Sequence, residues 1–151
     1  MKKFISTIAI FICLQISAQT KEELMVQQTI EEFFIGFHAQ DSIKIKSVVN
    51  DQIILQTIIN EPDGSHKIKT DDFSDFLISI SKIPSNMKFE EKIMDYSIQI
   101  DGPMATAWTK YKFWINGELS HCGVNSFQLL QESELWKIIY LIDTRRKEDC
   151  K

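Results

Sequence analysis

Apolar residues recur with a helical period in the first part of the chain. Steps of about 3.6 residues are typical of an amphipathic helix that packs on an apolar surface. Thr20 and Glu23 have the spacing of a capping box, so we expect the helix to start at Lys21 and to end near Gly36 and His38. The apolar positions of this helix are Leu24, Val26, Ile30, Phe33, Phe34 and Phe37.

Shorter elements follow this first helix. Asp41 can cap a second, short helix that Asn50 and Asp51 terminate. Proline and glycine at residues 61–64 favour a turn between two strands. The further predictions are a strand over residues 52–59, its return over residues 66–69, and a third helix that begins at Thr70 and ends by Pro84.

The second half of the chain has a strand-like period of two. Asn116-Gly117 is the residue pair best suited to a tight hairpin turn, and Glu132-Ser133 is predicted to close a second hairpin. The predicted strands are residues 87–100, 104–115, 119–130 and 135–142. Helices that precede consecutive hairpins indicate the α+β class, with a curved antiparallel sheet.

The amino terminus has the pattern of a secretory signal peptide. Two lysines precede an apolar stretch, and Ser17-Ala18 supplies small residues for cleavage. We therefore expect residues 1–18 to be removed, residues 19–151 to form one domain, and the protein to be secreted or periplasmic. Cleavage takes two lysines and no acidic residue, so 15 basic and 21 acidic residues leave a net charge of −6.

Charge and cysteine content restrict the partners of the mature chain. An acidic protein without clustered lysine and arginine is a poor partner for nucleic acid or for an anionic membrane. Only Cys122 and Cys150 remain after cleavage. The predicted second hairpin places Cys122 opposite Asp143, so a disulfide requires the tail to fold back, and we expect two free thiols with the disulfide as the alternative.

Seven short strings in the last third of the chain carry a resemblance to known proteins. They are Ala105-Thr106-Ala107-Trp108, Tyr111-Lys112-Phe113, Asn116-Gly117, His121-Cys122-Gly123, Phe127-Gln128-Leu129, Trp136-Lys137-Ile138 and Asp143-Thr144. With these strings the sequence resembles the nuclear transport factor 2-like superfamily, and it is most similar to exported bacterial proteins described as SnoaL-like or lumazine-binding. The resemblance implies a cone, in which a bent sheet wraps around a long first helix and leaves a pocket.

A cone pocket is usually apolar with a few polar groups, and this limits the candidate ligand-binding residues. Phe34 and Phe37 could close the pocket from the helix. The sheet residues of suitable type are Trp108, Tyr111, Asn125, Phe127 and Tyr140. The alternative for each aromatic side chain is plain core packing.

His121 is the candidate acid or base, because an imidazole titrates near neutral pH. Asp143 is the carboxylate that could orient it, and an inert, hydrogen-bonded His121 is the alternative. Two-residue turns place His121, Asn125 and Phe127 on the same sheet face as Trp108, with Tyr111 and Asp143 on the other face. His38 is expected to carry a positive charge at the end of the first helix.

The remaining patterns leave three hypotheses for function. No histidine pair has metal-ligand spacing and no nucleotide fingerprint is present, so we expect neither a metal nor a cofactor. The first hypothesis is a non-catalytic domain that binds a small apolar or aromatic molecule. The second is an isomerase, cyclase or dehydratase that uses His121. The third is a homodimeric assembly module that pairs through the sheet, with Trp114 and Trp136 in the contact.

Overall fold

The computed structural model describes residues 19–150, and the predicted signal peptide lies outside them. Three helices surround one face of a seven-stranded sheet. The helices are α1 (Lys21–His38), α2 (Ser42–Ser47) and α3 (Phe73–Ser81). The strands are β1 (Val49–Asn60), β2 (His66–Asp71), β3 (Phe89–Ile93), β4 (Ser97–Asp101), β5 (Met104–Ile115), β6 (Glu118–Glu132) and β7 (Leu135–Arg146).

The first helix forms as predicted. Glu23 donates its backbone N–H to the Thr20 hydroxyl at 3.2 Å, and the Glu23 carboxylate accepts from the Thr20 N–H at 2.6 Å. This reciprocal cap satisfies two amides at the helix start. The helix buries one apolar stripe in the concave side of the sheet, where the core lies. Its buried residues are Val26, Ile30, Phe33, Phe34 and Gly36.

The sheet is mixed rather than wholly antiparallel, which corrects the expectation. Its strand order is β2-β1-β7-β6-β5-β3, and β4 also pairs with β5. The β1 and β7 strands run parallel, and Thr57 lies beside Asp143. Because a parallel pair requires a long connection, these neighbours come from distant parts of the chain.

Several element boundaries differ from the predictions. Val49 begins β1 rather than ending α2, and Thr70 belongs to β2 because Asp72 is the cap of α3. The predicted strand over residues 87–100 is divided into β3 and β4, both of which pair with β5. The start of α3 could not be predicted from local propensity, because Thr70, Asp71 and Asp72 can each cap a helix and stand in succession.

Both predicted hairpins are present, but only the first has its turn at the predicted residues. Asn116 and Gly117 form the predicted turn with φ values of 51° and 85°. The second turn is formed by Ser133 and Glu134, with φ values of 48° and 69°, and not by Glu132-Ser133. This difference of one position changes which residues of β6 and β7 lie opposite each other.

Two β-bulges also exchange the faces of the sheet. Ser120 is the extra residue between β5 and β6, because Trp114 pairs with Leu119 whereas Phe113 pairs with His121. Ile139 is the extra residue between β6 and β7. A bulge moves every later side chain to the other face, so the predicted face assignment was wrong. Tyr111, Phe113, His121, Asn125 and Asp143 in fact share the concave face.

Cys122 and Cys150 form a disulfide, with 5.5 Å between their Cα atoms, which corrects the expectation of free thiols. The actual register pairs Cys122 with Arg146, not with Asp143, so the chain needs only a short return to reach Cys150. The β7 strand extends to Arg146, beyond its predicted end at residue 142. Within the described residues, no helix has the length and apolar character needed to cross a membrane.

Candidate functional site

The concave face, α1 and α3 enclose a cavity of about 500 Å³. One of its sides is aromatic, and successive rings contact each other through stacked or edge-to-face pairs. The phenylalanines that line the cavity are Phe33, Phe34, Phe37, Phe76 and Phe113. A volume of this size is typical of small-molecule sites.

Asp143 lies at the inner, polar end of this cavity. Its Oδ1 accepts a hydrogen bond from the Thr57 hydroxyl at 2.5 Å, and its Oδ2 is 2.7 Å from Nε of Arg145. Asp143 is buried, and the parallel β1–β7 register places Thr57 directly beside it. The carboxylate is therefore held by a charge-assisted pair and a hydroxyl, which fixes its orientation.

A second carboxyl group, that of Glu91, faces the same space from β3. Asn125 donates its side-chain N–H to Glu91 Oε1 at 2.6 Å. Burial, with a smaller contribution from the nearby Asp143, raises the pKa of Glu91 from 4.5 to about 7. This carboxyl therefore changes charge close to neutral pH, which is the property expected of an acid or base group.

The strand that carries Glu91 is held by His38. Nε2 of His38 accepts the backbone N–H of Glu91 at 2.9 Å, so this nitrogen is unprotonated. Burial lowers the pKa of His38, which agrees with its role as an acceptor. The expected positive charge on His38 was therefore wrong, and the residue instead links α1 to β3.

Tyr111 lies near both carboxyl groups, and its hydroxyl is fixed by hydrogen bonds. It donates to the Thr144 carbonyl at 2.9 Å, and Asp143 Oδ2 is 3.4 Å away. Burial and the charge of Asp143 raise the pKa of Tyr111 well above its usual range. The ring passes over Gly123, where a Cβ would lie 2.8 Å from Tyr111 Cε1 and 1.8 Å from the Thr144 oxygen. Only glycine fits at this position.

His121 also lines the cavity, and its ring stacks on Phe113 with 4.8 Å between centroids. Its Nδ1 lies 3.1 Å from the Ser120 hydroxyl. Burial, with a smaller effect of Arg145, lowers the pKa of His121, so the imidazole is uncharged at neutral pH. Among the described residues no carboxylate hydrogen-bonds to this ring, and Asp143 therefore does not orient His121 as predicted.

The structure brings together six of the nine predicted site residues. Phe34, Phe37, Tyr111, His121, Asn125 and Asp143 line the cavity. Their roles in binding or catalysis remain predictions.

The other three predicted site residues lie elsewhere. Trp108 is 54% exposed, on the opposite face of β5, because its strand register differs from the predicted one. Phe127 is fully buried in the core below Phe34, and Tyr140 hydrogen-bonds to Gln56 at 2.6 Å from the outer side of β7.

Glu91, Arg145 and Thr57 are site residues that the sequence reasoning missed. A signal for Glu91 existed, because its carboxylate is in phase with Phe89 and Ile93 on a strand whose other residues are charged. An acidic residue at an inward position of a strand is costly and therefore informative. Arg145 and Thr57 carried no comparable signal, since their positions depend on the β1–β7 pairing.

The donor set of the cavity suits hydrogen bonding and proton transfer. Within residues 19–150, no group of three or more histidine, cysteine or acidic residues is arranged to hold a metal ion. Around Tyr111 the site offers the carboxyl of Glu91, which titrates near neutral pH, the ion-paired carboxylate of Asp143, a protonated phenol and the neutral imidazole of His121. Such convergence of titratable groups in an apolar cavity is typical of binding and active sites.

Comparison with known proteins places the fold. No family model matches the chain, and no curated protein matches it by sequence. Solved structures do match. A nuclear transport factor 2-like protein of unknown function from Shewanella baltica is 16% identical, with a TM-score of 0.64, over 87% of this chain and 100% of the other.

Two further similar structures carry a functional description. A proposed dehydratase of the nuclear transport factor 2-like family from Streptomyces avermitilis is 12% identical, with a TM-score of 0.61, over 82% of this chain and 94% of the other. The beta subunit of a proposed aromatic-ring-hydroxylating dioxygenase from Novosphingobium aromaticivorans is 12% identical, with a TM-score of 0.67, over 83% and 90%. With its curved sheet wrapped around α1, the chain has the nuclear transport factor 2-like, or cystatin-like, fold.

Proposed function

We propose that the cavity binds a small, largely apolar or aromatic molecule, with one polar group of that molecule directed at Glu91. The observation that carries this proposal is that one cavity is lined both by a set of phenylalanines and by hydrogen-bonded polar groups. A pocket filled by its own side chains would not leave about 500 Å³ free. Polar groups at one end of an apolar pocket orient a ligand and provide specificity.

A matched pair of variants tests whether ligands occupy this cavity. Ser79 lines the cavity from the last turn of α3, whereas Ser81 is also exposed on this turn but does not line the cavity. A compound library is first screened for a rise in melting temperature, since a ligand at 100 times its Kd stabilises by about 2.7 kcal/mol. We expect Ser79→Phe to reduce the rise and Ser81→Phe to retain it. Equal shifts in both variants would contradict cavity binding.

A second candidate function is proton transfer of the isomerase or dehydratase kind, with Glu91 as the base. The specific observation in its favour is a carboxyl that lines the cavity and has a pKa of about 7. The similar structure from Streptomyces avermitilis is itself a proposed dehydratase. Glu91 fits this role better than His121, since Asn125 orients its carboxyl group and leaves Oε2 without a hydrogen bond from the described residues.

Kemp elimination of 5-nitrobenzisoxazole tests this candidate without knowledge of the substrate. A base removes the ring C–H proton, the N–O bond breaks, and the product is a coloured nitrile phenolate. We expect catalysis that rises with pH through about 7, is lost in Glu91→Gln and is retained in Glu90→Gln. The control residue faces solvent on the same strand and pairs with Lys92 at 3.4 Å. Unchanged rates in Glu91→Gln would exclude Glu91 as the base.

We also propose that the outer face of the sheet pairs with a second copy of the chain. Exposed apolar side chains support this, among them Ile54, Met104 and Trp108. Trp136 is buried in the core, so it is not available for the contact as expected. Sedimentation of the protein and of Trp108→Glu tests the proposal, and a monomeric mass of the unaltered protein at high concentration would contradict it.

Export remains a proposal that the disulfide supports. Disulfides such as Cys122–Cys150 persist mainly in oxidising compartments. Mass spectrometry of the mature protein from culture medium or periplasm would identify the predicted cleavage after Ala18. A full-length chain retained in the cytoplasm would contradict it.

A further inference from the structure

We infer that the ligand of this cavity carries a basic nitrogen on an aromatic or apolar body, with the cation against the Glu91 carboxylate and the body against the phenylalanine wall. The inference rests on the binding function proposed above and adds the chemical class of the ligand. It does not depend on the catalytic alternative, since a carboxylate that holds a ligand cation is not free to act as a base.

The positive charges that line the cavity are already paired. Arg145 Nε lies 2.7 Å from Asp143 Oδ2, and Lys69 Nζ lies 2.6 Å from Asp71 Oδ1. His121 is uncharged at neutral pH, because burial lowers its pKa. A ligand carboxylate or phosphate would therefore compete with Asp143 for Arg145 or with Asp71 for Lys69, and it would meet like charge from Glu91.

The negative charges are not all paired. Glu91 lines the cavity, and its Oε1 accepts one hydrogen bond from Asn125, while Oε2 accepts none from the described residues. Asp75 adds another carboxylate at the mouth, on the exposed side of α3. An ammonium group that donates to Oε2 would form the charge-assisted hydrogen bond that Glu91 lacks.

The aromatic wall suits the same ligand. Phe37 lies parallel to Phe76 with 6.3 Å between centroids, and Phe113 stacks against the His121 ring. The faces of aromatic rings are electronegative, so they attract a cation within about 6 Å and also pack against an aromatic body. The wall and Glu91 thus favour one kind of molecule, an aromatic or alkyl amine.

Three probes with the same ring system test the inference. They are 9-(aminomethyl)anthracene, 9-anthracenemethanol and 9-anthracenecarboxylate, titrated by their fluorescence at pH 8 and low ionic strength. We expect the amine to bind at least about tenfold more tightly than the alcohol, and the carboxylate to bind more weakly than the alcohol. Glu91→Gln is expected to lose the preference for the amine and to keep its affinity for the alcohol. The control variant Glu90→Gln is expected to keep the preference for the amine and the affinity for the alcohol.

The outcomes separate this inference from the proposed function. If the alcohol binds as tightly as the amine, the inference that the ligand carries a basic nitrogen is wrong, and the proposed binding function stands. If Glu91→Gln retains the preference for the amine, the assignment to Glu91 is wrong. If none of the three probes binds, both the inference and the proposed binding function fail.

Discussion

Replacing Glu91 by glutamine should stabilise the folded protein at neutral and alkaline pH. The ionised carboxylate is disfavoured by burial and by Asp143, and this raises its pKa from 4.5 to about 7. Glutamine has nearly the same shape, stays neutral and keeps an oxygen to accept from Asn125. The substitution therefore removes an unfavourable charge without opening a cavity.

The pKa gives the magnitude and the sign of the effect. Each tenfold change in proton affinity equals about 1.4 kcal/mol, so the shift from 4.5 to about 7 corresponds to roughly 3 kcal/mol. Below pH 4.5 both folded and unfolded Glu91 are protonated and no penalty exists. Between about pH 4.5 and 7 the unfolded chain releases its proton first, so the penalty on the folded state grows with pH and is complete above 7.

Urea unfolding at pH 4.5 and pH 8 measures this difference. We expect Glu91→Gln to match the unaltered protein at the lower pH and to exceed it by about 3 kcal/mol at the higher pH. Glu90→Gln, on the solvent side of the same strand, should change the free energy of unfolding by less than about 0.5 kcal/mol at both values. A destabilised Glu91→Gln at pH 8 would refute the assignment of an unfavourable charge at this position.

Two further predictions concern the residues that support the site. Gly123→Ala should destabilise by about 3 kcal/mol or more, because its Cβ meets the Thr144 carbonyl at 1.8 Å; an unchanged urea midpoint would contradict this. Cys150→Ser should lower the free energy of unfolding by about 3 to 4 kcal/mol, given the separation of 28 residues that the bond closes. A reducing agent should lower the stability of the unaltered protein to that of Cys150→Ser and should leave the variant unchanged. If the variant is less stable than the unaltered protein by the same amount with and without the reducing agent, the bond with Cys122 is excluded.

Local signals in the sequence were sufficient for the α+β class and for most of the elements, but not for the parallel pairing of β1 with β7. The capping box at Thr20 and the Asn116-Gly117 turn act over a few residues, and both form as predicted. The site was less predictable because it depends on register over long distances. One extra residue at Ser120 and one at Ile139 decide which side chains face the cavity. No local pattern distinguishes a bulged strand from a regular one. For this reason Trp108 was predicted on the wrong face of the sheet.

The site residues that the sequence analysis missed depend on contacts between strands that are distant in the chain. In the sequence Arg145 stands in a run of charged residues, and its place in the site follows only from the pairing of β1 with β7, which puts Thr57 beside Asp143. Glu91 was the exception, since its inward position between Phe89 and Ile93 could have been identified from the alternation alone.

The parallel pairing of β1 with β7 has a consequence for the order of folding. Thr57 and Asp143 are 86 residues apart, and their contact forms only after almost the entire described chain has been synthesised. Pairings of such long range are slow to form, because the intervening segment must first lose much of its freedom. The polar end of the cavity is therefore a late product of folding, and an emerging or partly folded chain would be inactive in any role that this cavity has.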